Sequence, residues 1–220
     1  MQPTIEDFIN MLGDPDPDVR RNAAWSLGRQ RDIRIIQPLI KALSDDDTTV
    51  RVRAAEALGN MRDPEIVPHL IQALGDDDNG VRARAAASLG NQGDFRAFEA
   101  MLELLKDGDA TVRSAAVEAL THLPDDRAVI PLVNLLTGDP DPDVRYLVRK
   151  TLTQIGGDAT VDALLLVLRS EPEPDDMIRI IEILAALQAS SAAEPLKSLT
   201  DHTDEGVKAT AQWALKQLGV

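Results

Sequence analysis

The chain has 220 residues, with 37 acidic against 23 basic side chains, a formal charge of -14 and no cysteine. Disulfides, thiolate metal centres and a cysteine nucleophile are excluded, and a field of this sign repels phosphate backbones, so no nucleic-acid partner is expected. Apolar residues reach 44% while aromatics are only 3%, a composition suited to closely packed helices with small contact residues.

Taken from the amino terminus, Met1 to Phe8 carry acids and no basic or apolar run, and no later apolar stretch reaches membrane length. A soluble cytoplasmic protein with no membrane partner is the expectation. The pattern Asp-x-x-(Val/Ile)-(Arg/Lys) then recurs seven times, led by Asp16, Asp47, Asp78, Asp109, Asp141, Asp175 and Asp204. The branched residues Val19, Val50, Val81, Val112, Val144, Ile178 and Val207 stand 31, 31, 31, 32, 34 and 29 residues apart, the periodicity of a stacked array. No linker interrupts it, so residues 1–220 read as one quasi-linear domain of units near 1–30, 31–61, 62–92, 93–123, 124–156, 157–189 and 190–220.

The second unit shows the grammar of all seven. Ile36, Leu39, Ile40 and Leu43 recur at helical spacing and predict a first helix, A, with Pro38 near its start. After the turn Ser44 to Asp46, Asp47 can cap a second helix, B; in the first and fifth units Pro17 or Pro142 follows the cap at the favoured first position. Helix B turns Val50, Ala54, Ala55, Ala57 and Leu58 inward and is expected to stop at Gly59 in a left-handed cap, as others should at Gly28 and Gly90. The basic residue after each branched one, Arg20, Arg51, Arg82, Arg113, Arg145, Arg179 and Lys208, is predicted to reach an acid of the next unit as a structural ladder. Before unit six the loop Arg169 to Asp176 is longer than its counterparts and contains Pro172 and Pro174.

The run Asp-x-x-Val-Arg-x-x-Ala-Ala-x-x-Leu-Gly from Asp47 to Gly59 resembles the short HEAT-like repeat of the E-Z or phycobilisome-lyase type. Essentially the whole chain is covered, with Thr121 and Thr153 in place of the glycine in units four and five. The resemblance implies an all-α fold, a right-handed α-α superhelix or alpha solenoid of seven helix pairs. In such arrays the B helices line the concave surface. The family spans bilin lyases, an iron hydroxylase and protein-binding scaffolds, so it leaves activity open.

Counted at 100 degrees per residue from the branched position, +4, +5, +7 and +8 fall inward and +2, +3, +6 and +10 outward. The outward set defines the candidate partner-binding face. It includes a basic strip of Arg21, Arg53 and Arg84 with Glu56 beside it, whose alternative reading is pairing with Glu56 or turn aspartates. It also includes Tyr146, Leu147, Lys150, Ile180, Ile181 and Leu184, with Trp25 and Trp213 at opposite ends. Large apolar groups on an exposed face mark recognition patches; the alternative for Ile180 and Leu184 is that unit six is rotated and buries them.

No catalytic residue is assigned. The alternating acids Asp14, Asp16 and Asp18, and Asp139, Asp141 and Asp143, lack the glycine and distant glutamate of a calcium loop, so no integral metal is expected. His69, His122 and His202 share no ligand spacing, the His-Glu pairs of the hydroxylase relatives are missing, and neither a phosphate loop nor a nucleophile elbow is present. The preferred reading is a noncatalytic scaffold for another protein, without cofactor. The rival is a bilin lyase, or a chromophore-detaching or phycobiliprotein-binding factor, whose arginines beside Trp25 or Tyr146 would suit a tetrapyrrole with two propionates.

Overall fold

A computed structural model describes residues 3–220, and among these every regular element is helical. By its contacts the chain divides into two compact units, one ending at Leu123 and the other running from Pro124 to Val220.

In the first unit the pairs are α1 (Ile5–Met11) with α2 (Pro17–Leu27), α3 (Ile36–Ala42) with α4 (Thr48–Gly59), α5 (Ile66–Ala73) with α6 (Asn79–Gln92), and α7 (Phe98–Leu104) with α8 (Ala110–Leu120). In the second they are α9 (Val129–Gly138) with α10 (Pro142–Ile155), α11 (Gly157–Leu168) with α12 (Pro174–Ala186), and α13 (Ala193–Ser198) with α14 (Glu205–Leu218). These are the expected A and B helices of an alpha solenoid. Within the first unit the B helices pack in order, α2 on α4, α4 on α6 and α6 on α8; within the second, α10 meets α12 and α12 meets α14.

The local reasons are those the sequence carries. Asp16, Asp47, Asp78, Asp109, Asp141 and Asp204 each cap a B helix by accepting from a backbone N–H of its first turn, satisfying a donor that the helix itself leaves unpaired. Asp175 is the exception. Pro174 takes the first helical position of α12 and Glu173 becomes the N-cap, so Asp175 lies inside the first turn. Inward, Val50, Ala54, Ala55, Ala57 and Leu58 are buried, and so are Val81, Ala85, Ala86 and Leu89; each fully buried Val or Leu contributes about 1.5–3 kcal/mol.

The glycines act differently from expectation. Gly28, Gly59 and Gly90 are right-handed helical or at a right-handed cap, and α6 continues past Gly90 to end at Gly93, whose φ is 64°. Their requirement is proximity. A Cβ on Gly59 would lie 2.3 Å from the Ser88 hydroxyl, one on Gly90 2.8 Å from Ala119 Cα, and one on Gly28 3.0 Å from Ala57 Cβ. Position +9 of one B helix thus presses on position +7 of the next, and the bare backbone lets the helices close on each other.

The ladder holds in the first unit and lapses in the second. Arg20 donates from Nε and Nη2 to both oxygens of Asp45, and from Nη1 to the Asp14 carbonyl of its own turn. Arg51 repeats this with Asp76 and the Asp45 carbonyl, and Arg82 with Asp107 and the Asp76 carbonyl. Each guanidinium is therefore bonded to its own turn and to the next repeat. Arg145 bonds the Asp139 carbonyl of its own turn but leaves a buried Nε without a partner, while Arg179 and Lys208 pair within their own helices with Asp176 and Glu205. The acceptor place, two residues before the next cap, is aspartate after α2, α4 and α6. After α10 it is Glu171, at φ 52°, and after α12 it is His202.

Candidate functional site

The site is the exposed side of the B helices, whose spacing is set by the glycine and alanine seam. Trp25 on α2, Tyr146 on α10 and Trp213 on α14 are 49%, 60% and 45% exposed. They are the only tryptophans and tyrosine of the chain.

In the first unit, Trp25 carries the Arg29 guanidinium 5.0 Å from its ring centroid, a cation–π arrangement. Beside it Arg53 pairs with Glu56 at 2.8 Å, and the Asn60 amide donates to the Gly28 carbonyl across to α2. Trp25, Arg29, Arg53, Glu56 and Asn60 line a small depression of about 100 Å³. Arg21 is committed elsewhere: its guanidinium holds both oxygens of the cap residue Asp47 and also Asp18. That bond keeps the Asp47 carboxyl down at about 2 and raises the Arg21 guanidinium. Arg84 is exposed and makes no ion pair or hydrogen bond. Of the predicted basic strip, then, Arg21 and Arg53 are internally paired and Arg84 is free.

In the second unit, Arg149 lies 5.6 Å from the Tyr146 ring centroid and donates to Glu182 of α12 at 2.6 Å. Lys150, one residue on, is exposed. Tyr146, Arg149, Lys150, Thr153, Gln154 and Glu182 line a groove of about 410 Å³ between α10 and α12, with Ala186 exposed at its edge and Ile183 buried at its floor.

Two predicted contact residues are corrected. Ile180 and Leu184 are completely buried, as is Ile181. In α12 the inward set is Met177, Ile181, Leu184 and Ala185, which repeats the inward spacing of Val50, Ala54, Ala57 and Leu58 when counted from Met177 instead of Ile178. The early start at Pro174 shifts the frame by one residue, about 100 degrees of rotation. Counting from Ile178 puts Ile181 and Leu184 outside; Ile180, at +3 from Met177, is buried with Ile183 because α12 is covered over a wider face than α4.

Arg149 and Glu182 fall outside the predicted face for a different reason: Arg149 stands at +5 from Val144 and Glu182 at +4 from Ile178, both positions expected to face inward. Ala24, Ala55, Ala86 and Val117 fill position +5 with buried apolar groups in the first unit. In the corrected frame the second unit has Arg149 and Glu182 there. The signal was available in the residue types, because two opposite charges on equivalent positions of adjacent helices pair and turn their heads outward more readily than they enter an apolar layer.

Acidity concentrates at the turns between the A and B helices. The turns before α4 and α6 bring Asp45, Asp46, Asp76 and Asp77 around a depression of about 590 Å³ that Arg51 crosses and His69 borders.

The chain belongs to the HEAT-repeat family: the family model for HEAT repeats matches residues 5–90, 36–121, 67–153 and 98–176. No curated protein sequence matches it. Among solved structures it is similar to the complex of CpcE and CpcF of phycocyanin lyase from Nostoc sp. PCC7120, at 26% identity over 99% of this chain and 96% of that chain, with a TM-score of 0.64. It also resembles Kap95p in a structure with RanGDP, at 14% identity over 97% of this chain and 34% of that one, TM-score 0.76. A designed armadillo repeat protein aligns at 20% identity over 98% of this chain and all of its own, TM-score 0.54. The last two likenesses concern the fold. Among the described residues no helix is long and apolar enough to cross a membrane.

Proposed function

We propose that the protein is a noncatalytic scaffold that binds another protein through the exposed side of its B helices. The observation that carries this reading is the placement of Trp25, Tyr146 and Trp213, each about half exposed on a B helix, in a chain with no other tryptophan or tyrosine. Aromatic groups of this kind anchor protein interfaces because they bury a large area with few rotatable bonds. Exposed cations at outer positions of the B helices, Arg84 on α6 and Lys150 on α10, supply the charge pairing expected at an interface rim. That the similar CpcE and CpcF form a complex with each other, and that Kap95p binds Ran, fits a surface made for protein partners.

The test is affinity capture from the native host with a photo-crosslinker placed in turn at Tyr146 and at an A-helix position such as Glu99. A partner crosslinked from Tyr146 alone supports the reading; equal crosslinking from both refutes it.

A second reading has one observation in its favour, the likeness to a phycocyanin lyase complex. Under it the arginines beside the exposed rings, Arg29 at Trp25 and Arg149 at Tyr146, would meet the propionates of a bilin. A bilin titrated with the protein then changes its visible absorbance saturably; under the scaffold reading it does not.

A further inference from the structure

The second unit differs from the first in one respect that bears on what its surface can hold. Along the α4–α6 seam, alanines at +5 and a glycine against a serine keep the helices close. Between α10 and α12 the +5 positions carry Arg149 and Glu182, whose ion pair spans the two helices at 2.6 Å. Two long side chains cannot occupy the space of two methyl groups. A groove of about 410 Å³ stands here, against about 100 Å³ between α2 and α4.

The groove has a distinct chemistry. Tyr146 forms an exposed aromatic wall, with Ala186 as apolar surface opposite and the buried Ile183 beneath it. Its charges are Arg149, Lys150 and Glu182. Glu182 is engaged by Arg149, whose guanidinium also lies over the Tyr146 ring. Lys150 has neither an ion pair nor a hydrogen bond. The local balance is therefore one uncompensated positive charge beside an apolar surface, in a protein whose total is -14. A carboxylate arriving here meets a free cation and an exposed ring lining one groove.

We propose that the α10–α12 groove binds an acidic peptide segment of a protein partner, with an apolar side chain set against Tyr146 and Ala186 and a neighbouring carboxylate paired with Lys150. This rests on the protein-binding reading and specifies where, and to what chemistry, the surface binds. Glu182 sets the strength of the site by holding Arg149; releasing that guanidinium adds a second donor for the incoming carboxylate.

Tyr146 is the only tyrosine, so its labelled ring gives one set of NMR signals that reports on the groove, while the two indole N–H signals report on Trp25 and Trp213. The full-length protein is titrated with three decapeptides of one Leu/Ser-based sequence carrying two Glu, two Gln or two Lys. The Glu peptide is expected to shift the Tyr146 ring signals saturably and more tightly than the Gln peptide by about two- to fivefold, the range of an exposed ion pair. Lys150→Glu should abolish that preference and Glu182→Gln should strengthen it, with both variants keeping their melting temperatures within a few degrees. A Tyr146 ring unmoved by the Glu peptide, or moved equally by the Lys peptide, overturns the proposal. Shifts confined to the indole signals would also overturn it, while leaving a protein-binding role for the other B-helix positions.

Discussion

At the scale of single residues, the conspicuous glycines of the motif are explained by distance. Gly90 is helical, and an added methyl group would meet the backbone of α8 at Ala119 Cα, 2.8 Å away. Gly90→Ala is expected to destabilise by about 1–3 kcal/mol, because a packed helix and not a flexible side chain has to move. Gly108→Ala is the control: it lies in a turn at negative φ with nothing within 4 Å of the added carbon, and its effect should be neutral or slightly stabilising through the unfolded chain. Urea melts of the two variants separate the accounts, since a left-handed requirement at Gly90 would predict a backbone cost that its right-handed conformation does not show. Sequence alone made Leu-Gly look like a helix ending, because the same residue serves both purposes; only the partner helix, 29 residues further along at Ala119, distinguishes them.

Among the helices, the guanidinium ladder divides the repeats into tied and untied junctions. Arg51→Ala removes four charge-assisted bonds and takes the guanidinium from the Asp76 carboxylate, which is mostly buried, so a loss of about 2–3 kcal/mol is expected. Arg145→Ala removes one bond to its own turn together with an unpartnered buried Nε, and should cost clearly less; equal losses in chemical denaturation would contradict the ladder. Acid gives an independent check. Asp47 is held at about 2 by the Arg21 bond, and Asp107 below its ordinary 3.8 by the bond from Arg82. A carboxyl depressed by folding contributes stability above its unfolded value and loses it as the pH falls through the folded one. The urea midpoint should therefore drop between about pH 4 and about pH 2, and less steeply in Arg21→Ala.

This element scale is also where the sequence was most and least legible. The helix pairs, their caps and the inward row of Val50, Ala54 and Leu58 follow from period and residue type. In α12 the Asp-x-x-Ile-Arg match named the wrong cap and the wrong anchor, since Pro174 starts the helix early and Met177 takes the buried place. One residue of offset moved Ile181 and Leu184 from the core to the surface, while Ile180 is buried because α12 is covered over a wider face than the inward row, with Ile183 also enclosed. Apolar pattern alone could not resolve it, because α12 is apolar around more than half its circumference.

For the molecule as a whole, the distribution of charge matters more than its total. Aspartates gather at the turns, where they cap helices and hold the ladder, so much of the -14 charge is a consequence of the repeat architecture. In the first unit Arg29 lies over Trp25 and Arg84 is exposed on α6, and in the second Lys150 shares a groove with Tyr146. An acidic partner would meet complementary charge there and repulsion at the turns, which fixes orientation as much as it adds affinity. Raising the ionic strength from 50 to 500 mM, roughly, should slow association with such a partner more than it speeds dissociation; stopped-flow rates independent of salt would argue that the charges are incidental.

The central proposal is that exposed rings of the B helices, Trp25 in the first unit and Tyr146 and Trp213 in the second, each contact a protein partner. It is tested most directly by the equilibrium affinity of the captured partner for the triple variant Trp25→Ala, Tyr146→Ala, Trp213→Ala, measured beside its circular dichroism and melting temperature. The account predicts a loss of at least about 30-fold, two kcal/mol from exposed anchors, in a protein that remains fully helical. Unchanged affinity in the folded triple variant would contradict it.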